Sequence, residues 1–154
     1  MQLGDFLDFD AISTRLSGGN KRSLLQQLAN IAGQRLAMDP AIILASLAER
    51  EQLGSTGLGH GVAIPHGKID GLTRIYGLFT RLSEPIDYKA IDGRPVDLVF
   101  LLLSPPDAGA EHLKALATVS RITRHVPTLE KMRGARSRDA LAAVLMGADE
   151  RDAA

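Results

Sequence analysis

Asp97-Leu98-Val99-Phe100-Leu101-Leu102-Leu103-Ser104 is apolar at every position between its two polar ends. A half-buried strand alternates, whereas an unbroken apolar run of this length reads as a strand covered on both faces, in the middle of a sheet with helices above and below. Pro105-Pro106 closes the run. Asp107 is placed to cap a long helix over 108–125, with Leu113, Leu116, Ala117 and Ser120 facing inward. Upstream, Tyr76–Leu82 reads as a second strand, and Ser83–Pro95 as polar turns marked by Pro85, Gly93 and Pro95. Val62-Ala63-Ile64 is a short β-type run, and another short strand is expected near Ala11–Thr14.

Two helices precede these strands. Asn20 caps a pattern of Leu24, Leu25, Leu28, Ile31, Ala32 and Leu36, and Asp39-Pro40 opens a second helix through Ile42, Ile43, Leu47 and Glu51 that stops at Gly54. Beyond the long helix, Pro127 acts as a breaker and a short helix covers 128–133. Ser137 caps a last helix that buries Leu141, Val144 and Leu145 and stops at Gly147. The order predicts an α/β fold: a single three-layer domain over 1–154, with its core at about 5–147, in which helices cover both faces of a small mixed sheet.

Composition narrows the function classes. The chain has 154 residues, 45% hydrophobic and 23% charged, which is average for a globular protein and excludes a disordered tail or a coiled-coil rod. Eighteen basic residues balance eighteen acidic ones, so no global field draws it to nucleic acid. The basic run Lys114, Arg121, Arg124, Lys131, Arg133, Arg136 and Arg138 scatters round several helices without interleaved aromatics, and reads as a solvated face or a docking surface for an acidic partner. The absence of cysteine removes a disulfide framework, a thiol nucleophile and a cysteine zinc site. No signal peptide and no membrane span are predicted, so the expectation is a soluble, cytoplasmic protein without stable membrane insertion.

The chemistry concentrates in Ser55-Thr56-Gly57-Leu58-Gly59-His60-Gly61-Val62-Ala63-Ile64-Pro65-His66-Gly67-Lys68. The glycines let the backbone bend and let another molecule approach, and Pro65 and Gly67 flank an imidazole with little cover. A P-loop does not fit, because the spacing from Gly61 to Gly67-Lys68 is one residue too long and Ile69 follows. The dinucleotide fingerprint fails at its third glycine. On the residues alone His66 is either a nucleophile or a structural histidine at a strand end. His60 and His125 read as a loop residue and a helix-end residue, and no clustered ligand set points to a metal or cofactor.

Thr56 through Lys68, together with Pro95-Val96-Asp97-Leu98-Val99-Phe100, resembles the IIA proteins of the bacterial phosphoenolpyruvate-dependent phosphotransferase system. Within them the chain is most similar to the nitrogen-regulatory subgroup of the fructose–mannitol type, and the likeness runs from the Lys21-Arg22 helix start to the terminal helix. The resemblance implies a phosphotransferase component that works as a stoichiometric relay. His66 would accept a phosphoryl group from a histidine-containing phosphocarrier protein, and its phosphorylation state would be signalled to regulated target proteins in nitrogen, potassium or carbon metabolism. It also implies His112 as a donor to the phosphate and Arg50 as a phosphate or partner contact. Thr56, Gly57, Gly59, Gly61 and Lys68 would form a phosphate loop. Where His60 stands, the subgroup often carries asparagine. The alternatives are a soluble IIA component of a fructose or mannitol transporter, and a protein-binding regulator that is never phosphorylated.

Overall fold

The computed structural model describes residues 1–153, with side chains to Glu150. Its strands are β1 (Ser13–Leu16), β2 (Gly57–Gly59), β3 (Val62–Ala63), β4 (His66–Lys68), β5 (Tyr76–Ile86) and β6 (Val96–Ser104). Its helices are α1 (Lys21–Leu36), α2 (Pro40–Gln52), α3 (Gly109–Thr123), α4 (Val126–Gly134) and α5 (Arg138–Ala153). The strands form one mixed sheet in the order β1-β5-β6-β3-β2, with β4 also beside β6. The apolar run is the central strand, antiparallel to β5 and parallel to β3 and β4.

Its alternate side chains enter two cores. Leu98, Phe100 and Leu102 meet Val119, Ile122, Leu129, Met132, Leu141 and Leu145 from α3, α4 and α5. Val99, Leu101 and Leu103 meet Leu24, Leu28, Ile43 and Leu47 from α1 and α2. That accounts for the lack of alternation and gives three layers. Each such side chain removed from water contributes about 1.5–3 kcal/mol. The two expected caps before this sheet both form: Asn20 accepts from the Ser23 N–H at 2.8 Å and Asp39 from the Ala41 N–H at 2.9 Å.

Several local expectations are corrected. The segment after Leu82 is not all turn: β5 runs through Pro85 to Ile86, which pairs with Val96, and the register shifts between Arg81 and Ile86. The missing donor of Pro85 falls in that irregular stretch, where it breaks no regular ladder. Asp107 does not cap α3; a turn closed by the Ala108 N–H on the Pro105 carbonyl takes it up, and Ala108 is the capping position. The inward face of α3 is His112, Ala115, Thr118, Val119 and Ile122, while Leu113 is 66% exposed. Polar residues can occupy that face because they are satisfied there: the Thr118 and Thr123 hydroxyls donate to the carbonyls of Lys114 and Val119, each at 2.9 Å.

Pro127 sits in the first turn of α4 rather than breaking a longer helix. Ser137 does cap α5, but that helix continues past Gly147. The reason lies at the other end of the chain, where the Leu3 and Gly4 N–H groups donate to the buried Asp149 carboxylate at 2.6 and 2.9 Å.

Candidate active site

β3 and β4 are two halves of one strand. Val62 lies opposite Leu98 and Lys68 opposite Ser104, with the register kept across Ile64-Pro65. Pro65 has no N–H to give the ladder, although its carbonyl still accepts from Leu102 at 3.0 Å. At this break the Ile64 carbonyl meets His66 Nδ1 at 2.7 Å. A carbonyl can only accept, so Nδ1 carries the imidazole proton and Nε2 keeps its lone pair. Arg50 Nε donates to that Nε2 at 3.2 Å, while its Nη1 is held by the Gly54 carbonyl at 2.8 Å.

His112 comes from the first turns of α3 and faces His66, with ring centroids 5.5 Å apart and ring planes at 48°. Its Nδ1 lies 2.5 Å from Ser104 Oγ at the end of β6. Both imidazoles are held neutral at pH 7. Burial lowers the His66 pKa, and the nearby Arg50 charge adds to this against the Ile64 carbonyl and Glu51. Burial also pushes His112 down to about 4, with His66 and Lys68 contributing.

The pair opens into a cavity of about 380 Å³ lined by Ser46, Glu49, Arg50, Leu53, His66, Gly67, Lys68 and His112. A larger hollow of about 460 Å³ lies between the amino-terminal turn and α3; its charged lining, Asp5, Arg74, Glu111 and Lys114, is balanced and holds no histidine. The two facing imidazoles therefore belong to the smaller cavity. Gly67 is not small to make room for the imidazole. A Cβ there would collide with Ser46 Oγ, which donates to the Lys68 carbonyl at 3.0 Å and ties α2 to β4. That close approach brings Arg50 within reach of His66.

The structure thus brings together His66, His112, Arg50 and Lys68. Thr56, Gly57, Gly59 and Gly61 fall outside this lining, because the glycine run is a β2–β3 hairpin packed elsewhere. A Cβ at Gly57 would strike Ala90, and one at Gly61 would strike Arg133. His60 sits at the hairpin tip with φ 56°, its N–H on Asp92 at 3.0 Å and its carbonyl on Arg133 at 2.6 Å. Left-handed backbone is where asparagine is enriched, so the subgroup's frequent asparagine suits the turn and needs no phosphate contact. His125 occupies the position before α4 without a side-chain cap bond to its backbone, and its Nδ1 lies 2.7 Å from Thr128 Oγ1. Among the described residues no group of three or more His, Asp or Glu is placed to hold a metal. No described helix is long and apolar enough to cross a membrane.

Two supporting elements escaped the sequence reading. One is Ser104, which looked only like the polar end of a strand. The other is Glu51, buried beside Arg50. It takes Lys21 Nζ at 2.5 Å, the Tyr88 hydroxyl at 3.0 Å, and both the hydroxyl and the N–H of Thr56. Burial raises its pKa, but the bonds from Lys21, Thr56 and Tyr88 outweigh that and hold it below the ordinary carboxylate value. The Thr56 carbonyl in turn accepts from Ile64 N–H at 3.0 Å, so this cluster braces the residue that orients His66. The only local signal was the Arg50-Glu51 pair itself.

This arrangement can be compared with known proteins. The family profile of the phosphoenolpyruvate-dependent sugar phosphotransferase system, EIIA 2, matches residues 5–147. The chain belongs to this EIIA family. It is 45% identical over 145 residues to the nitrogen regulatory protein of Bradyrhizobium diazoefficiens, covering 94% of this chain and 95% of the relative. The solved structure of nitrogen regulatory protein IIA-Ntr from Neisseria meningitidis matches with a TM-score of 0.87 at 34% identity, covering 93% of this chain and 98% of that one. A fructose-specific EIIA component of Haloferax volcanii is 38% identical over 121 residues, covering 79% of this chain and 77% of the relative. At 45% against 38% identity, this EIIA chain is more similar to the Bradyrhizobium nitrogen regulatory protein than to the fructose-specific component.

Proposed function

We propose that the protein takes a phosphoryl group onto His66 Nε2 from the phosphohistidine of a histidine-containing phosphocarrier, and that partner proteins read the resulting state. The observation that carries this reading is the Nδ1 contact of His66 with the Ile64 carbonyl, which leaves the Nε2 lone pair in the cavity beside Arg50. The phosphorus–nitrogen bond forms at His66 Nε2 as the donor's phosphorus–nitrogen bond breaks, and the donor nitrogen keeps the electron pair. Each imidazole retains the proton on its other nitrogen, so no proton changes hands. One phosphoramidate replaces another, and the work left for the protein is positioning and charge stabilisation. The Arg50 guanidinium must leave the lone pair as phosphorus approaches, and it then pairs with phosphoryl oxygens. His112 donates to another oxygen, and Lys68 adds positive charge.

A regulatory role is favoured over a transporter role by the greater identity to the nitrogen regulatory relative. The test starts from purified phosphorylated carrier mixed with this protein and a chelator. Acid-labile label on wild type and none on His66→Ala is expected. Label on His66→Ala at the wild-type rate would overturn the assignment, and no label on wild type would leave a protein-binding regulator.

A further inference from the structure

We propose that Ser104 is a positioning residue that fixes the tautomer of His112 and thereby decides which of the two facing histidines accepts the phosphoryl group. The inference rests on the reading of His66 as acceptor. The two rings are near neighbours and both are neutral, so chemistry alone does not choose between them. Each presents one nitrogen to the cavity and has its Nδ1 held by the protein. An acceptor needs a lone pair on the cavity side; a supporting donor needs an N–H there. The Ile64 carbonyl forces the first state on His66. A hydroxyl, unlike a carbonyl, can force the second.

Ser104 and the Ser104–His112 bond are buried, and among the described residues the hydroxyl has no other hydrogen-bond partner. The Ser104 carbonyl is already engaged, accepting from Ile69 N–H at 2.8 Å. The hydroxyl hydrogen therefore has one place to go, His112 Nδ1, and His112 carries its proton on Nε2. In the opposite tautomer the Ser104 hydrogen would be buried without an acceptor, a penalty that disfavours that state by roughly 10–100-fold. Sheet register puts Ser104 where it can do this. It lies opposite Lys68, two residues along from the Leu102–His66 pair, so its side chain shares the α3-facing side of the sheet with His66.

Nitrogen-15 imidazole spectra at pH 7 test this on the whole protein as wild type, Ser104→Ala and Ser104→Thr, alongside transfer from phosphorylated carrier. Wild type is expected to show His112 protonated at Nε2 and bare at Nδ1. Ser104→Ala is expected to populate the other tautomer and slow transfer by about tenfold, and Ser104→Thr to restore both. If the added methyl of threonine is not tolerated, Ser104→Cys, with its weaker S–H donor, is expected to restore the tautomer in part. A wild-type His112 protonated at Nδ1, or a tautomer unchanged in Ser104→Ala, would overturn the proposal. A failure of His66 to become labelled would overturn the proposed function instead, because the tautomer is read without any phosphate present.

Discussion

The depressed pKa of His112 makes protein stability depend on pH in a defined window. In the unfolded chain this imidazole takes up a proton below about 6.5, whereas in the folded protein it resists until about 4. Between those values the unfolded state binds more protons, so the stability associated with neutral His112 is fully present above 6.5 and is lost progressively down to about 4. At about 1.36 kcal/mol per unit the full span amounts to roughly 3 kcal/mol, and screening at the cavity mouth brings it to about 2–3 kcal/mol.

Urea denaturation at half-unit steps from pH 7 to 4, on wild type and His112→Gln, isolates the contribution. His66, also depressed, adds a loss of the same sign to both proteins. Asp8 and Glu51, held below their ordinary values by Arg35 and Lys21, contribute stability that falls away at still lower pH, again in both. The difference curve belongs to His112. It is expected to narrow by about 2–3 kcal/mol as pH falls from 6.5 to 4, with the wild type losing more. A flat difference, or an imidazole resonance showing His112 protonated at pH 6, would refute the reasoning about its burial.

His112→Ala is expected to slow transfer by ~10²–10³ while the label still maps to His66 alone, because a donor aimed at developing charge is removed; label found on His112 in wild-type protein under non-acidic mass mapping would contradict this. Arg50→Lys is expected to transfer as poorly as Arg50→Ala, since one ammonium cannot hold the Gly54 carbonyl and reach the phosphoryl group together; stopped-flow transfer rates would decide between equal loss and rescue. Gly67→Ala is expected to cost about 1–3 kcal/mol by driving α2 off β4, and Ser46→Ala in that background to recover most of it, because Ser46 Oγ is the atom in the way. Thermal unfolding of the single and double variants measures both, and additive losses would exclude the clash.

The sequence by itself determined the layering and marked out the segment around His66. The unbroken apolar run Leu98–Leu103 could only be a strand buried twice over, and its alternate residues do fill two separate cores. Asn20, Asp39 and Ser137 announced their helices because a cap is a local hydrogen bond within a few residues. His66 stood out because Pro65, its immediate neighbour, has no N–H to give and so breaks the strand just before it. What stayed hidden depends on partners distant in the chain or on polarity misleading the pattern. Asp149 binds the amino-terminal turn and carries α5 past Gly147; the inward face of α3 holds His112 and Thr118 rather than the expected Leu113; and Gly67 answers to Ser46 on α2. The family resemblance implied a phosphate loop, yet only tertiary packing could reveal that Gly57, Gly59 and Gly61 lie against Ala90, Asp92 and Arg133. The same holds for the proton on each histidine. A tautomer is set by whichever atom faces Nδ1, and only the folded sheet puts the Ile64 carbonyl against one ring and the Ser104 hydroxyl against the other.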